Sequence, residues 1–133
     1  MAQESKPVLI ALLLCLMIAK GNCVCLNCMN YRVEIRQVAG APGMVGGENT
    51  RFTVTVTNRC CCEVRNVVVF APGFRSAVPV DPKLFRDSPD GRTDYFLLGD
   101  GETIRTNGSV TFSYAWQHMF RMNVNGMTVF NCS

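Results

Sequence analysis

The sequence predicts an all-β protein: an antiparallel two-sheet β-sandwich of about seven to nine short strands, disulfide-stabilised, after an N-terminal signal peptide. Three observations predict it. Apolar and polar residues alternate in short runs, the period of a half-buried strand. Turn residues (Gly, Pro, Asn, Asp) separate those runs at spacings of roughly 8–12 residues, the rhythm of a sandwich. Eight cysteines occur in 133 residues, three of them consecutive at Cys60, Cys61 and Cys62.

From the N-terminus, Val8 to Ala19 is an unbroken apolar run preceded by Lys6 and Pro7. Its length falls within the ~7–15 residues of a signal-peptide core and short of the ~20 needed to cross a bilayer. Small residues at Ala19 and Gly21 suit cleavage. Residues 1–21 are therefore expected to be a signal peptide, and 22–133 a single secreted domain with no membrane segment in the mature form. Exported chains meet oxidising conditions, in which cysteines become cross-links.

The strands follow in order. Tyr31 to Val38 alternates, with Tyr31, Val33 and Ile35 opposite Arg32, Glu34 and Arg36. A Gly- and Pro-rich loop precedes Arg51 to Asn58, the clearest strand, where Phe52, Val54 and Val56 alternate with threonines. The cysteine triplet comes next, then Val64 to Phe70, apolar enough for burial on both faces. Phe74 to Val80 reads as a short edge strand because of Pro79. Asp81 to Asp94 carries two prolines and Asp90-Gly91, an exposed loop. Tyr95 to Leu98 is a strand, Gly99-Asp100-Gly101 a tight turn, and Thr103 to Thr106 another strand. Asn107-Gly108 is the strongest hairpin signal and leads into Ser109 to Trp116, whose Val110, Phe112, Tyr114 and Trp116 share one face. Met122 to Val124, Asn125-Gly126 and Met127 to Phe130 read as a final hairpin ending near Cys132.

Composition excludes several functions. Once the charges of residues 1–21 (Glu4, Lys6 and Lys20) are set aside, 11 basic and 9 acidic residues remain, net +2, scattered with no stripe. Nucleic-acid binding needs clustered cations to release counterions, so none is expected. His118 is the only imidazole and no serine sits in a nucleophile turn, so no catalytic residue is assigned. The aspartates Asp81, Asp87, Asp90, Asp94 and Asp100 each adjoin Pro or Gly or cap a turn, the ordinary task of loop aspartate. CVCLNC with CCC could suggest a thiolate metal cluster, but zinc sites favour CxxC pairs with a turn between them, and the only histidine, His118, stands alone in sequence. No metal or other cofactor is expected.

Cys15 should leave with the signal, so Cys23, Cys25, Cys28, Cys60, Cys61, Cys62 and Cys132 are the disulfide candidates. Any six of them allow 15 connectivities. In an extended segment Cys60 and Cys62 face one way and Cys61 the other, so the three should reach different partners. A bond from Cys28 to Cys132, for example, would close a loop of about 100 residues. Two glycosylation sequons occur, at Asn107 and at Asn131; Asn107, at a hairpin tip, is the better candidate. Trp116 shares a face with Val110 and Phe112 and is expected in the core. A sugar-binding surface would need Tyr31, Tyr95 or Tyr114 beside it.

Asn58-Arg59-Cys60, Pro82-Lys83-x-Phe85-Arg86 and Gly108-Ser109-x-Thr111-Phe112-Ser113-Tyr114, in this order between a Cys-rich start and a terminal cysteine, resemble the TAPETUM DETERMINANT-like family of plants. The resemblance covers Cys28 to Cys132. It implies a small secreted cysteine-rich protein of the apoplast, a ligand for the ectodomain of a leucine-rich-repeat receptor kinase in anther cell-fate signalling. It implies neither enzymatic activity nor a cofactor. Family members typically carry a further cysteine just after the strand that here ends in Phe70-Ala71, and one where Tyr95 stands. Both are missing together, as expected of partners in one bridge, whereas Cys23, Cys25 and Cys61 are additional. The chain therefore resembles a divergent branch. Within it, Lys83, Phe85 and Arg86 are the receptor-contact candidates, because hot spots favour aromatic residues and Arg; the competing reading of Phe85 is an anchor that ties the loop to the core. The alternative function is an apoplastic carbohydrate- or cell-wall-binding module, with a cell-wall glycan as partner.

Overall fold

The computed structural model describes residues 28–41 and 47–132. The expected signal peptide, Cys15, Cys23 and Cys25 lie outside these residues. Seven strands form: β1 (Val33–Ala39), β2 (Thr50–Asn58), β3 (Glu63–Phe70), β4 (Phe85–Asp87), β5 (Tyr95–Leu98), β6 (Ser109–Trp116) and β7 (Asn123–Phe130). They make two antiparallel sheets, β1-β2-β6 and β4-β5-β3-β7. Short 3₁₀ turns at Asn30–Arg32 and Gly99–Gly101 are the only helical pieces among the described residues.

The alternation in β2 and β6 fixes which side of the first sheet faces inward. Phe52, Val54 and Val56 stand opposite Tyr114, Phe112 and Val110 in register. All but the half-buried Val110 are buried, while the intervening Thr53, Thr55 and Thr57 face outward or to the rim. The second sheet answers with Val64, Val67, Val69, Phe96 and Leu98, and the two layers share one apolar core. Aromatic rings join the layers: Phe85 of β4 stacks on Phe112 of β6 at 4.3 Å between centroids and on Phe96 of β5 at 4.8 Å. Phe74 meets Phe85, Phe96, Tyr114 and Phe120 edge-on.

The chain passes from one sheet to the other through the cysteine triplet, which is a bend rather than an extended run. Asn58 organises this corner. Its side chain is fully buried; the amide donates to the carbonyls of Cys62 and Ile104, both at 2.9 Å, and the amide oxygen accepts from the Cys60 N–H at 2.9 Å. Cys60 bonds to Cys28 and Cys62 to Cys132. Cys60 and Cys62 are buried, whereas Cys61 is exposed and is itself disulfide-bonded. The expectation that the three reach separate partners holds. The Cys28–Cys132 loop does not form, because Cys28 enters beside β2 and meets the first cysteine after it.

Three sequence expectations differ from the fold. Phe74 to Val80 is not a strand: Phe74 turns into the core, and the segment meets the end of the β6 edge where the Ala77 N–H donates to the Ala115 carbonyl at 2.6 Å and the Ala115 N–H donates to Ser76 Oγ at 3.1 Å. Thr103 to Thr106 contributes one bridge, Ile104 with Val64. The final hairpin is instead a single strand, β7. Its neighbour β3 is irregular between Arg65 and Val68, where Asn66 adopts φ 52°, and Val68 pairs with Gly126. That shift places one extra residue in β3; a second, between Val68 and Val69, leaves Asn125 as an extra residue in β7, so the register is restored and β7 continues past Asn125-Gly126.

At the end of β3, where the sequence has no cysteine, Phe70 stands opposite Tyr95 with ring centroids 5.0 Å apart. The Arg92 guanidinium lies over the Tyr95 ring at 4.0 Å.

Candidate contact surface

The loop entering β4 is built from its aspartate outward. The Asp81 carboxylate accepts from the Lys83 N–H at 2.9 Å, and the Asp81 carbonyl accepts from Leu84 and Phe85 at 2.9 and 3.1 Å. This turn points Lys83 into solvent and Phe85 inward. Phe85 is 3 % exposed. It anchors the loop to the core and offers nothing to a partner, so its candidacy as a contact is corrected: two ring stacks outweigh its charged neighbours.

Arg86 lies at the surface. Its guanidinium donates to the Asp100 carboxylate and to the Pro82 carbonyl at 3.3 Å. Asp100 is presented by the 3₁₀ turn at φ 60°, a left-handed conformation that Asp tolerates better than most residues. Lys83, Leu84, Gly99, Asp100, Glu102, Thr103, Ile104, Ser109 and Val110 line a groove of ≈ 460 Å³. The Lys83 ammonium and the Asp100 and Glu102 carboxylates at this groove, with the Arg86 guanidinium held against Asp100, make a charged, partly preordered face.

Of the remaining aspartates, Asp90 caps its own turn, Asp94 ties down a segment remote in sequence, and Asp87 lies in β4 rather than in a turn. Asp90 accepts from the Arg92 backbone at 3.0 Å and from its guanidinium at 2.8 Å. The backbone N–H of Arg92, then the Ser88 hydroxyl, hold the Asp90 carboxyl below its ordinary range. Asp94 accepts from the Gly73 N–H at 3.0 Å. No group of three or more His, Cys, Asp or Glu able to hold a metal occurs among the described residues. His118 is an exposed loop residue whose Nδ1 lies 3.2 Å from the Met119 carbonyl.

The aromatic residues weighed for sugar binding do not converge. Tyr114 is buried, with its hydroxyl donating to Gln37 Oε1 at 2.6 Å and accepting from the Phe120 N–H at 3.0 Å. Trp116 is half-buried and packs against the core, as expected, and Tyr95 packs against Phe70 and Arg92. Of these four, Tyr31 alone is open, at 74 % exposed.

Tyr31 belongs to a second opening that the sequence does not suggest. A groove of ≈ 760 Å³ runs between the outer edges of β1 and β7, lined by Met29, Tyr31, Ile35, Met122, Met127 and Val129 among others. The available signal is Met29 and Tyr31, apolar residues beside a strand but outside its pairing. Alternation alone assigns Tyr31 to the inner face. The 3₁₀ turn at Asn30–Arg32 rotates it outward.

Asn107 is exposed at the turn before β6. Among known families, the model described as Tapetum determinant 1, C-terminal, matches residues 29–132. No curated protein and no solved structure matches the chain.

Proposed function

The chain belongs to the Tapetum determinant 1 family, and from that premise we propose that it is an exported signalling protein of plant reproductive development. In this reading it acts in the apoplast as a ligand for the ectodomain of a leucine-rich-repeat receptor kinase, without catalysis and without a cofactor. The family match over residues 29–132 is the observation that carries it. Two physical features support it. Disulfides pin both sheets at the cysteine corner, as suits a small domain in an oxidising compartment. The Lys83–Arg86 face is held by turn hydrogen bonds, which limits the conformational entropy lost on docking.

Lys83 and Arg86 are the contact residues in this reading, Arg86 being oriented by Asp100. The test is binding of the secreted protein to immobilised receptor-kinase ectodomains, with Lys83→Ala/Arg86→Ala as the comparison. A well-placed contact of this kind is worth ~1–2 kcal/mol, so the double variant should bind about tenfold or more weakly. Unchanged affinity in a folded variant would remove the face from the contact. Saturable binding to cell-wall polysaccharide, with none to any ectodomain, would favour the glycan-binding alternative, for which Tyr31 supplies an open ring.

A further inference from the structure

We propose that Asn107 carries an N-linked glycan in the exported protein, and that this glycan shields the open half of the β6 edge. The inference rests on the export reading above.

The fold treats the two sequons differently. Asn107 is exposed and sits at φ 65°, a conformation asparagine adopts more readily than most residues. Its backbone is tied down: the N–H donates to the Asn58 carbonyl at 2.6 Å, and the next N–H, of Gly108, donates to Arg105 at 2.8 Å. Its side-chain amide takes no hydrogen-bond partner among the described residues, so modifying it breaks nothing. In the second sequon the Asn131 amide donates to Glu63 at 3.4 Å, and the middle residue, Cys132, is bonded to Cys62. There a glycan and a structural disulfide compete for three residues.

The chemistry requires one co-reactant, an oligosaccharide carried on a lipid pyrophosphate. The Asn107 amide nitrogen attacks the first sugar carbon. A carbon–nitrogen bond forms, the carbon–oxygen bond to the pyrophosphate breaks, the amide gives up one proton and the lipid pyrophosphate departs. Nothing is oxidised or reduced.

The place matters because β6 is the outer strand of its sheet. On a strand, the N–H and C=O of one residue point to the same side and successive residues point to opposite sides. Ala115 points outward, its N–H donating to Ser76 Oγ at 3.1 Å and its carbonyl accepting from Ala77. Ser109, Thr111 and Ser113 share that direction; Ser109 and Thr111 are exposed and Ser113 is half-buried, and their outward backbone groups take no backbone partner among the described residues. Residues 109–116 contain no charge and no proline. Exposed edges usually carry such devices to prevent strand addition by another chain, and uncharged β-prone segments are the ones that add. A hydrated glycan two residues before Ser109 supplies the missing obstacle.

The test is expression in a eukaryotic secretory host, with peptide-N-glycosidase treatment of the medium and peptide mass mapping. Wild type should lose the mass of one glycan, with Asn107 converted to aspartate. Ser109→Ala, which keeps asparagine in its left-handed turn, and Asn107→Gln should both lose the modification, and Asn131→Gln should keep it. Unglycosylated Ser109→Ala should self-associate at concentrations where wild type stays dispersed. Secreted wild type without a glycan, or a glycan retained in Ser109→Ala, overturns the site. Dispersion of Ser109→Ala equal to wild type overturns the shielding role. Absence of the protein from the medium instead overturns the export reading on which the inference depends.

Discussion

Asn58→Ala should destabilise the domain by about 4 kcal/mol, more than any single exposed substitution. The side chain makes three hydrogen bonds in a site sealed from water. Two of the groups it serves keep another partner: the Ile104 carbonyl still accepts from Val64 at 3.1 Å, and the Cys62 carbonyl from Thr106 at 3.4 Å. Those two losses cost ~0.5–1.5 kcal/mol each. The Cys60 N–H is left with nothing, a cost of ~1–3 kcal/mol. Small domains have only ~5–15 kcal/mol in total. Asn58→Asp is the informative control. It keeps the acceptor for Cys60 but turns a carboxylate toward two carbonyls, so burial and those carbonyls raise its folded pKa. Its destabilisation should therefore be severe at neutral pH and ease as pH falls, when a protonated acid can donate again. Urea unfolding of oxidised protein is the assay, read as a shift in midpoint at constant slope. A loss below about 1 kcal/mol for Asn58→Ala would refute the claim that this side chain organises the corner.

Three further outcomes follow from the same geometry. Phe85→Ala should cost ~3–5 kcal/mol through the cavity left between Phe96 and Phe112, whereas Lys83→Ala should stay within ~0.5 kcal/mol by the same unfolding assay. Tyr114→Phe should cost ~1–3 kcal/mol by orphaning Gln37 and Phe120. Burial raises the Tyr114 pKa above its ordinary value, with the Phe120 N–H partly opposing. Wild type should therefore lose stability as pH rises from about 10 through that raised value, and Tyr114→Phe should lack this component in alkaline unfolding curves. Replacing the cysteines of a bridge by serine should cost ~4 kcal/mol for Cys62/Cys132 and slightly less for Cys28/Cys60. Their sequence separations are 70 and 32, and loop-closure entropy grows only slowly with length.

Alternation is legible where one side of a strand faces the core and the other solvent. Phe52, Val54 and Val56, and Phe112 and Tyr114 across from them, are such positions, and they define the first sheet. It fails where tertiary contacts decide. Phe85 looks like an exposed ring among Lys83, Arg86 and Asp87, and only the stacked partners Phe96 and Phe112, remote in sequence, draw it inward. Asn125-Gly126 has the composition of a hairpin tip. It stays within one strand because an extra residue near Asn66 in β3 is matched by one at Asn125 in β7, a pairing with a remote strand that no local signal reveals. The cysteine partners stay open for a similar reason: pairing depends on the bend at Cys60–Cys62, and that bend is set by the buried Asn58. Of the contact candidates, the charged Lys83 and Arg86 lie at the surface and the aromatic one does not. The β1–β7 groove is invisible to sequence reading because it is made by two strand edges that meet only in the folded chain.

Mass mapping of cystines in protein recovered from the secretory medium tests the account most directly. It should show Cys28 joined to Cys60 and Cys62 joined to Cys132, with Cys61 also oxidised. Recovery of the chain only inside cells with these thiols reduced, or a Cys28–Cys132 bond in folded secreted material, would contradict it.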